Sequence, residues 1–456
     1  MIGGRRLKGK GVASPGSTNA ANALTPSVSV PTTTETPARG GEWRRLRERW
    51  LFLKRRPAPR GKATELIGLC HLLLSRRGDV SGTRLATDVI ERYRSLDDDE
   101  REAFFDRLVT VFSPDLVAVR AAAEAFLRDP SHHSLGRLQR VTESPLQELF
   151  RRWNMARGGT AALISLRRRL LTTIDAHPAR RCIDDDLMHL FRSWFNRGFL
   201  VLQRIDWRTP AVVLERLIKY EAVHQIHGWH DLRRRLAADR RCYAFFHPVL
   251  PDDPLIFIEV ALTSGMPAEV RPLLDPDAPV SDPGRADTAT FYSITNCQEG
   301  LRGVSFGNVL IKQVVEDLGS EFKRLRTFAT LSPITGFRAW LESRDPRWAA
   351  LDATTASTAT KRELTVLCAQ YLLTVKRDNE PADPVARFHL ANGASLQRLN
   401  WMGDPSSAGQ QRSFGLMVNY VYRPDDLERN HEAYARTYQV VVSRAIERLA
   451  REGAPP

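Results

Sequence analysis

"SITNCQEGLRGVSFGNVLIK", Ser293 to Lys312, reads as the end of a strand, a turn carrying Gly300, Gly303 and Gly307, and the start of a helix. Glycines at such a junction let backbone N–H groups approach closely, and the N-terminus of the following helix favours negative charge. The stretch therefore predicts either a cradle for a phosphate-bearing cofactor or substrate, or an ordinary glycine-rich turn. The same turn contains "GVSFG", which fits the GxSxG pattern of a nucleophile elbow with Ser305 at its centre. A serine hydrolase is thus a second expectation.

The flanking residues repeat the strand and helix grammar. Upstream, "CYAFFHPVLPDDPLIFIEVALT" (Cys242 to Thr263) holds a turn rich in Pro and Asp, then a β-branched and aromatic run from Leu255 to Thr263 that predicts a buried strand. "TATFYSIT" predicts another strand, "NVLIKQVVEDLGSEF" an amphipathic helix and "RTFATL" a further strand. Two helical stretches follow to about Lys376, then late strands in "FHLANGASLQRLNW" and "SFGLMVNYVY", and a terminal helix from about Leu427 to Arg451. Residues 207–456 are expected to form a mixed α/β domain.

Residues 43–206 have a different grammar, helical throughout. In "SLDDDEREAFFDRLVTVF" acids follow Ser95, and Phe104, Phe105, Leu108, Val109 and Phe112 then share a face; Leu187, Leu190, Phe191, Trp194 and Phe195 do so further on. We expect an antiparallel helical domain that packs or self-associates. Residues 1–42 are rich in Pro, Thr, Ser, Ala and Gly without apolar periodicity, and are expected to be a disordered basic tail.

The net charge of +14 is concentrated at that end: residues 1–63 hold fourteen Lys and Arg against three Glu. The rest is nearly balanced and has no aromatic interleaving or reading motif, so no nucleic-acid partner is expected. Nor is a membrane partner, since no apolar run approaches a span. Cys70, Cys182, Cys242, Cys297 and Cys368 are scattered and never spaced CxxC, which fits a reducing compartment. The expected location is cytoplasmic and bacterial. A mitochondrial one is left open by the basic, acid-free first 34 residues, while the ending "GAPP" speaks against peroxisomal import.

His224, His227 and His230 in "HQIHGWH" are three apart, with Gly228 expected to end a helix. They would spread over a wide arc, so a structural reading is preferred and no metal is expected. His389, at the end of an apolar segment, has the chemistry of a general acid or base if it faces a pocket. Ser332 in "TLSPITGF" (Thr330 to Phe337) reads from its sequence alone as a cap for a helix beginning near Gly336.

In this order, "YEAVHQIHGWHDLRRRL", "PLIFIEVALT", "FYSITNCQEGLRGVSFGNVLIK", "TLSPITGF", "FHLANGASLQRLNWMGD" and "GLMVNYVY" resemble the malonyl-CoA decarboxylase family, strongly so from about residue 215 to 425. The resemblance implies a helical oligomerisation domain followed by a GNAT-like (acetyltransferase-type) catalytic domain. It implies conversion of malonyl-CoA to acetyl-CoA and CO2, with CoA as part of the substrate and no cofactor. It further implies that Ser332, His389 and Tyr422 are catalytic, and that the CoA-contacting turn is Arg302, Gly303, Val304, Ser305, Phe306, Gly307 and Asn308, with Ile311 one turn onward. Two positions depart from the family pattern: Ser305 stands where the family has Glu, and Thr335 where it has Pro. A CoA-dependent acyltransferase and a serine thioesterase remain as alternatives.

Overall fold

The sheet and the helices before it follow from two patterns, apolar stripes of helical period and then buried strands. The computed structural model describes residues 61–75, 79–304 and 309–452; the expected tail over 1–42 and the turn residues Ser305 to Asn308 lie outside them. Among the described residues eight α-helices precede the first strand: α1 (Lys62–Ser75), α2 (Asp79–Arg94), α3 (Asp98–Val111), α4 (Leu116–Arg128), α5 (His132–Thr142), α6 (Pro145–Trp153), α7 (Gly159–Thr173) and α8 (Arg181–Trp194). The acidic run starts α3 as expected: Asp97 and Glu100 form a capping box, and Phe104, Phe105 and Leu108 are buried. Phe104 packs with Tyr93 of α2 and Trp153 of α6, ring centroids 5.8 and 6.5 Å away.

Residues 201–205, expected to be helical, instead form strand β1 (Val201–Ile205). Its alternation is hidden because four of its five side chains are not buried, yet its backbone pairs with β2 (Arg240–Phe246). Between them lie α9 (Ala211–Tyr220) and the short α10 (Trp229–Arg235). Gly228 begins α10 rather than ending a helix; its φ of 96° is one that only glycine adopts freely. Strand β3 (Ile256–Thr263) pairs with β2 and with β4 (Thr288–Asn296), after the one-turn α11 (Arg271–Leu274).

β4 then pairs in parallel with β5 (Thr327–Thr330). A parallel neighbour requires a crossover, and α12 (Val309–Glu321) supplies it, so the opening sequence stretch is the junction that makes this pairing possible. There follow β6 (Ser332–Pro333), α13 (Phe337–Arg344), α14 (Thr358–Thr374) and the β7 (Lys376–Arg377) and β8 (Glu380–Pro381) ribbon. The chain closes with α15 (Pro384–Ala391), β9 (Ser395–Asn400), α16 (Ser407–Ser413), β10 (Met417–Tyr422), α17 (Leu427–Thr437) and α18 (Arg444–Glu452). The sheet order is β1-β2-β3-β4-β5-β10-β6, with β9 on β10.

Two late expectations are corrected. The start of "FHLANGASLQRLNW" is helical, because Asp383 caps α15 with Pro384 in its first turn. The terminal helix is broken after Thr437: Tyr438 is left-handed (φ 55°), and Val441 then accepts a hydrogen bond from Leu396 N–H before α18 begins.

The helical region holds the glycine turn from below. The ideal Cβ of a residue larger than glycine at Gly300 would lie 2.1 Å from Ile164 O of α7, so only glycine permits this approach. Buried Arg167 of α7 donates from Nη1 to Gly300 O and Arg302 O, both at 2.8 Å, and from Nε to Asp184 of α8 at 2.7 Å. Arg167→Met is therefore expected to lower the unfolding free energy by about 2–3 kcal/mol. A denaturant midpoint equal to that of the unmodified protein would contradict this assignment.

Candidate active site

Strands β4 and β5 run together only as far as Phe291 and Thr330. Leu331 N–H still reaches Phe291 O at 2.9 Å, after which β4 continues on β3 to Asn296 while β6 follows β10. The two parallel strands part, and the gap is a cleft of about 440 Å³ between Phe291–Asn296 on one side and Ser332, Pro333 and α15 on the other. At the mouth of the parting β4 carries an extra residue: Glu259 faces Ser293 and Val260 faces Phe291, which leaves Tyr292 as a bulge. The cleft wall is largely apolar, with Ile256, Val304, Val385 and Phe388 among its side chains, and no described lining residue is Lys, Arg, Asp or Glu.

The β5–β10 ladder is completed across the gap by side chains. Thr330 Oγ1 accepts from Tyr420 N–H at 3.1 Å, and Asn419 Nδ2 donates to Thr330 O at 2.6 Å. That arrangement places Ser332 opposite Val418 at the start of β6, with its side chain in the cleft. Ser332 is not a helix cap; Gly336 occupies the α13 cap position without a side-chain bond. Its Oγ donates to Thr330 Oγ1 at 2.9 Å and lies 3.0 Å from His389 Nε2. His389 Nδ1 is in turn 2.6 Å from Tyr422 Oη.

With the Ser332 hydroxyl donating to Thr330, we assign the imidazole hydrogen to Nε2, facing Ser332 Oγ, and the acceptor role to Nδ1, facing Tyr422 O–H. The chain Tyr422, His389, Ser332, Thr330 is continuous and buried. His389 also stacks on Tyr420, ring centroids 4.7 Å apart. Its place in the last turn of α15 favours a positive charge, but burial dominates and pushes the imidazole down to about 3. Burial likewise holds the Tyr422 phenol well above its ordinary value. Both groups are neutral around pH 7. Among the described residues Tyr422, not a carboxylate, stands behind His389, in contrast to an arrangement that charges an imidazole to activate a serine.

The remaining expected site residues divide. Val304 lines the cleft and Ile311 is buried on α12. Gly303 has a φ of 83°, and Arg302 is exposed with its carbonyl held by Arg167. Ser305, Phe306, Gly307 and Asn308 lie outside the described residues. The three histidines of "HQIHGWH" do not converge: His224 is buried, whereas His227 and His230 are exposed. Sequence reading missed Thr330, Tyr420 and Asp383. Only the last had a signal, Asp followed by Pro before an apolar run.

The depressed His389 value gives a signed expectation. Between pH 6.5 and about 3 the unfolded chain carries a proton here that the folded chain does not, so stability contributed at this site is lost as pH falls through that window. The stability difference between the protein and its His389→Gln variant should shift against the former by up to about 1.4 kcal/mol per pH unit on acidification. A difference that stays constant from pH 7 to 4.5 would contradict a neutral buried imidazole.

The family defined as the malonyl-CoA decarboxylase C-terminal domain matches residues 198–345 and 342–455, and the malonyl-CoA decarboxylase N-terminal domain matches residues 112–195. The mitochondrial malonyl-CoA decarboxylase of Rattus norvegicus is 32% identical over 404 residues, 77% of this chain and 82% of its own length. That of Anser anser anser is 34% identical over 341 residues, 65% and 68% of the two chains. Among solved structures, malonyl-CoA decarboxylase from Rhodopseudomonas palustris is 49% identical with a TM-score of 0.81, and that from Agrobacterium vitis 45% identical with 0.79. Each comparison covers 85% of this chain and 99% of the other. With these matches spanning both the helices and the sheet, the chain belongs to the malonyl-CoA decarboxylase family.

Proposed function

We infer that the protein is a carboxy-lyase that converts malonyl-CoA to acetyl-CoA and CO2. The observation that carries the mechanism is an uncharged cleft that ends on the Ser332, His389 and Tyr422 chain. In our reading the sheet is GNAT-like, and the pantetheine arm of CoA enters where β4 and β5 part. The edge of β4 beyond Phe291, unpaired with β5, offers backbone groups to the arm's amides. The pyrophosphate lies at the turn from Arg302 to Asn308, before α12.

A malonyl carboxylate in such a cleft loses its hydration without gaining a cation among the described lining residues. Loss of CO2 removes that charge from the carboxylate, so the environment favours the reaction over the ground state. As the C–C bond breaks, its electron pair moves to the thioester oxygen. Ser332 O–H, turning from Thr330 Oγ1 to the cleft, donates to that oxygen. His389 Nε2–H then passes to the α-carbon while Nδ1 takes the Tyr422 proton. The site resets when Nδ1–H returns its proton to the Tyr422 phenolate and Nε2, on the cleft side, takes one from water, the one proton the overall reaction consumes. A neutral imidazole suffices, since in the net step the proton comes from the Tyr422 phenol and a thioester enolate carbon is far more basic than a phenolate. The reaction as written needs no redox step and no metal.

The division of labour we propose assigns residues 207–456 to catalysis and 43–206 to packing and self-association. What supports self-association is α4, whose Leu116, Val117 and Leu127 are each more than 75% exposed. The five free thiols suit a reducing compartment, cytoplasmic in this reading.

Two measurements test these proposals. Malonyl-CoA without an acceptor should yield acetyl-CoA and CO2 by mass spectrometry, with the rate reduced about a hundredfold in Ser332→Ala and in His389→Ala. Free CoA and malonate would indicate a thioesterase, and unchanged substrate an acyltransferase. Separately, Leu127→Asp should lower the mass seen by light scattering while the helical circular dichroism is kept; an unchanged mass would remove α4 from any contact.

A further inference from the structure

Asp383 joins the two segments that carry the reacting side chains. It is fully buried and makes no ion pair among the described residues. Its Oδ1 accepts from Val385 N–H at 3.0 Å and Ala386 N–H at 2.9 Å, which starts α15 and fixes the helix that holds His389. Its Oδ2 accepts from Gly336 N–H at 3.3 Å and Thr335 Oγ1 at 3.4 Å, in the loop that leads out of Ser332. Each carboxylate oxygen thus serves one partner of the 3.0 Å Ser332 and His389 contact.

A buried carboxylate without a cation is costly, and helix capping alone does not demand one, since Asn or Ser caps about as well. The second oxygen is where a carboxylate differs from those residues: it alone can accept from the loop while the first caps the helix. Thr335 matters for the same reason. It stands where the family pattern has a proline, which has no hydroxyl to donate.

We propose that Asp383 is a positioning residue that holds the Ser332 loop and the His389 helix in register, assisted in this chain by the Thr335 hydroxyl. The proposal rests on the reading of Ser332 and His389 as the reacting pair. It predicts that losing the tether misplaces two groups relative to each other while leaving the walls that hold CoA unchanged.

Asp383→Asn tests it with little change of shape. The amide oxygen still caps α15, but an NH2 group now faces the Gly336 N–H donor. The expected result is a kcat lowered about tenfold to a hundredfold with KM for malonyl-CoA within about twofold. In a Ser332→Ala background the same change should cost less than about twofold, because the group being positioned is gone. Full rate in Ser332→Ala alone would sink the underlying reading. A slow Ser332→Ala enzyme in which Asp383→Asn costs its full factor again would overturn the positioning role by itself, as would a raised KM with unchanged kcat. If Asp383→Asn does not fold, Thr335→Val and Thr335→Ser decide: kcat should fall several-fold in the first and recover in the second, and no loss in Thr335→Val overturns the proposal.

Discussion

Much of this structure depends on one constraint, the termination of the parallel β4–β5 pairing at Phe291 and Thr330. Up to that point the two strands are ordinary neighbours. Beyond it Leu331 makes the last contact to β4, and Thr330 uses its hydroxyl and carbonyl to keep β10 in register. A sheet that stayed closed would have no cleft, and Ser332 would be flanked by β4 as well as by β10. The bulge at Tyr292 assists from the β4 side, as bulges at sheet openings often do.

Among the described residues the interior of the opening is mostly apolar, with Ser293, Asn296 and Asn392 as polar exceptions beside the buried Ser332 and His389 pair. Ser332, His389 and Tyr422 satisfy one another in a surrounding of aliphatic and aromatic side chains, so each hydrogen bond is stronger than it would be in water and each unpaired group costlier. The same low polarity keeps His389 neutral and, in the proposed reaction, would remove hydration from the malonyl carboxylate. Stability and proposed chemistry therefore have a common cause. The helices contribute from below, where Arg167 fixes the carbonyls of Gly300 and Arg302 that precede α12.

How much of this was legible depended on the range of the interaction. The strand that ends at Asn296 and the helix that begins at Val309 could be read from local pattern, and the sheet core followed from the apolar runs that flank them. Val201–Ile205 could not, because a mostly exposed strand shows no alternation; only its partner β2 declares it. The helical state of His389 was readable from Asp383 and Pro384, but the apolar run to Ala391 drew the reading toward a strand. The break at Tyr438 rests on a left-handed residue that sequence seldom announces. The contact of Ser332 with His389, 57 residues away, leaves no local trace at all. Those residues and Tyr422 were grouped by family resemblance, and that grouping carried no information on Thr330, which has no motif of its own.

The central claim is that the acyl end of a CoA thioester lies where β4 and β5 part, against Ser332 and His389. A crystal structure of the protein with acetyl-CoA, the expected product, tests it most directly. The account predicts the thioester oxygen within hydrogen-bonding distance of Ser332 Oγ and the methyl carbon beside His389 Nε2, with the pantetheine arm along the β4 edge. A thioester bound elsewhere, with the cleft between Phe291–Asn296 and α15 left unfilled, would contradict it.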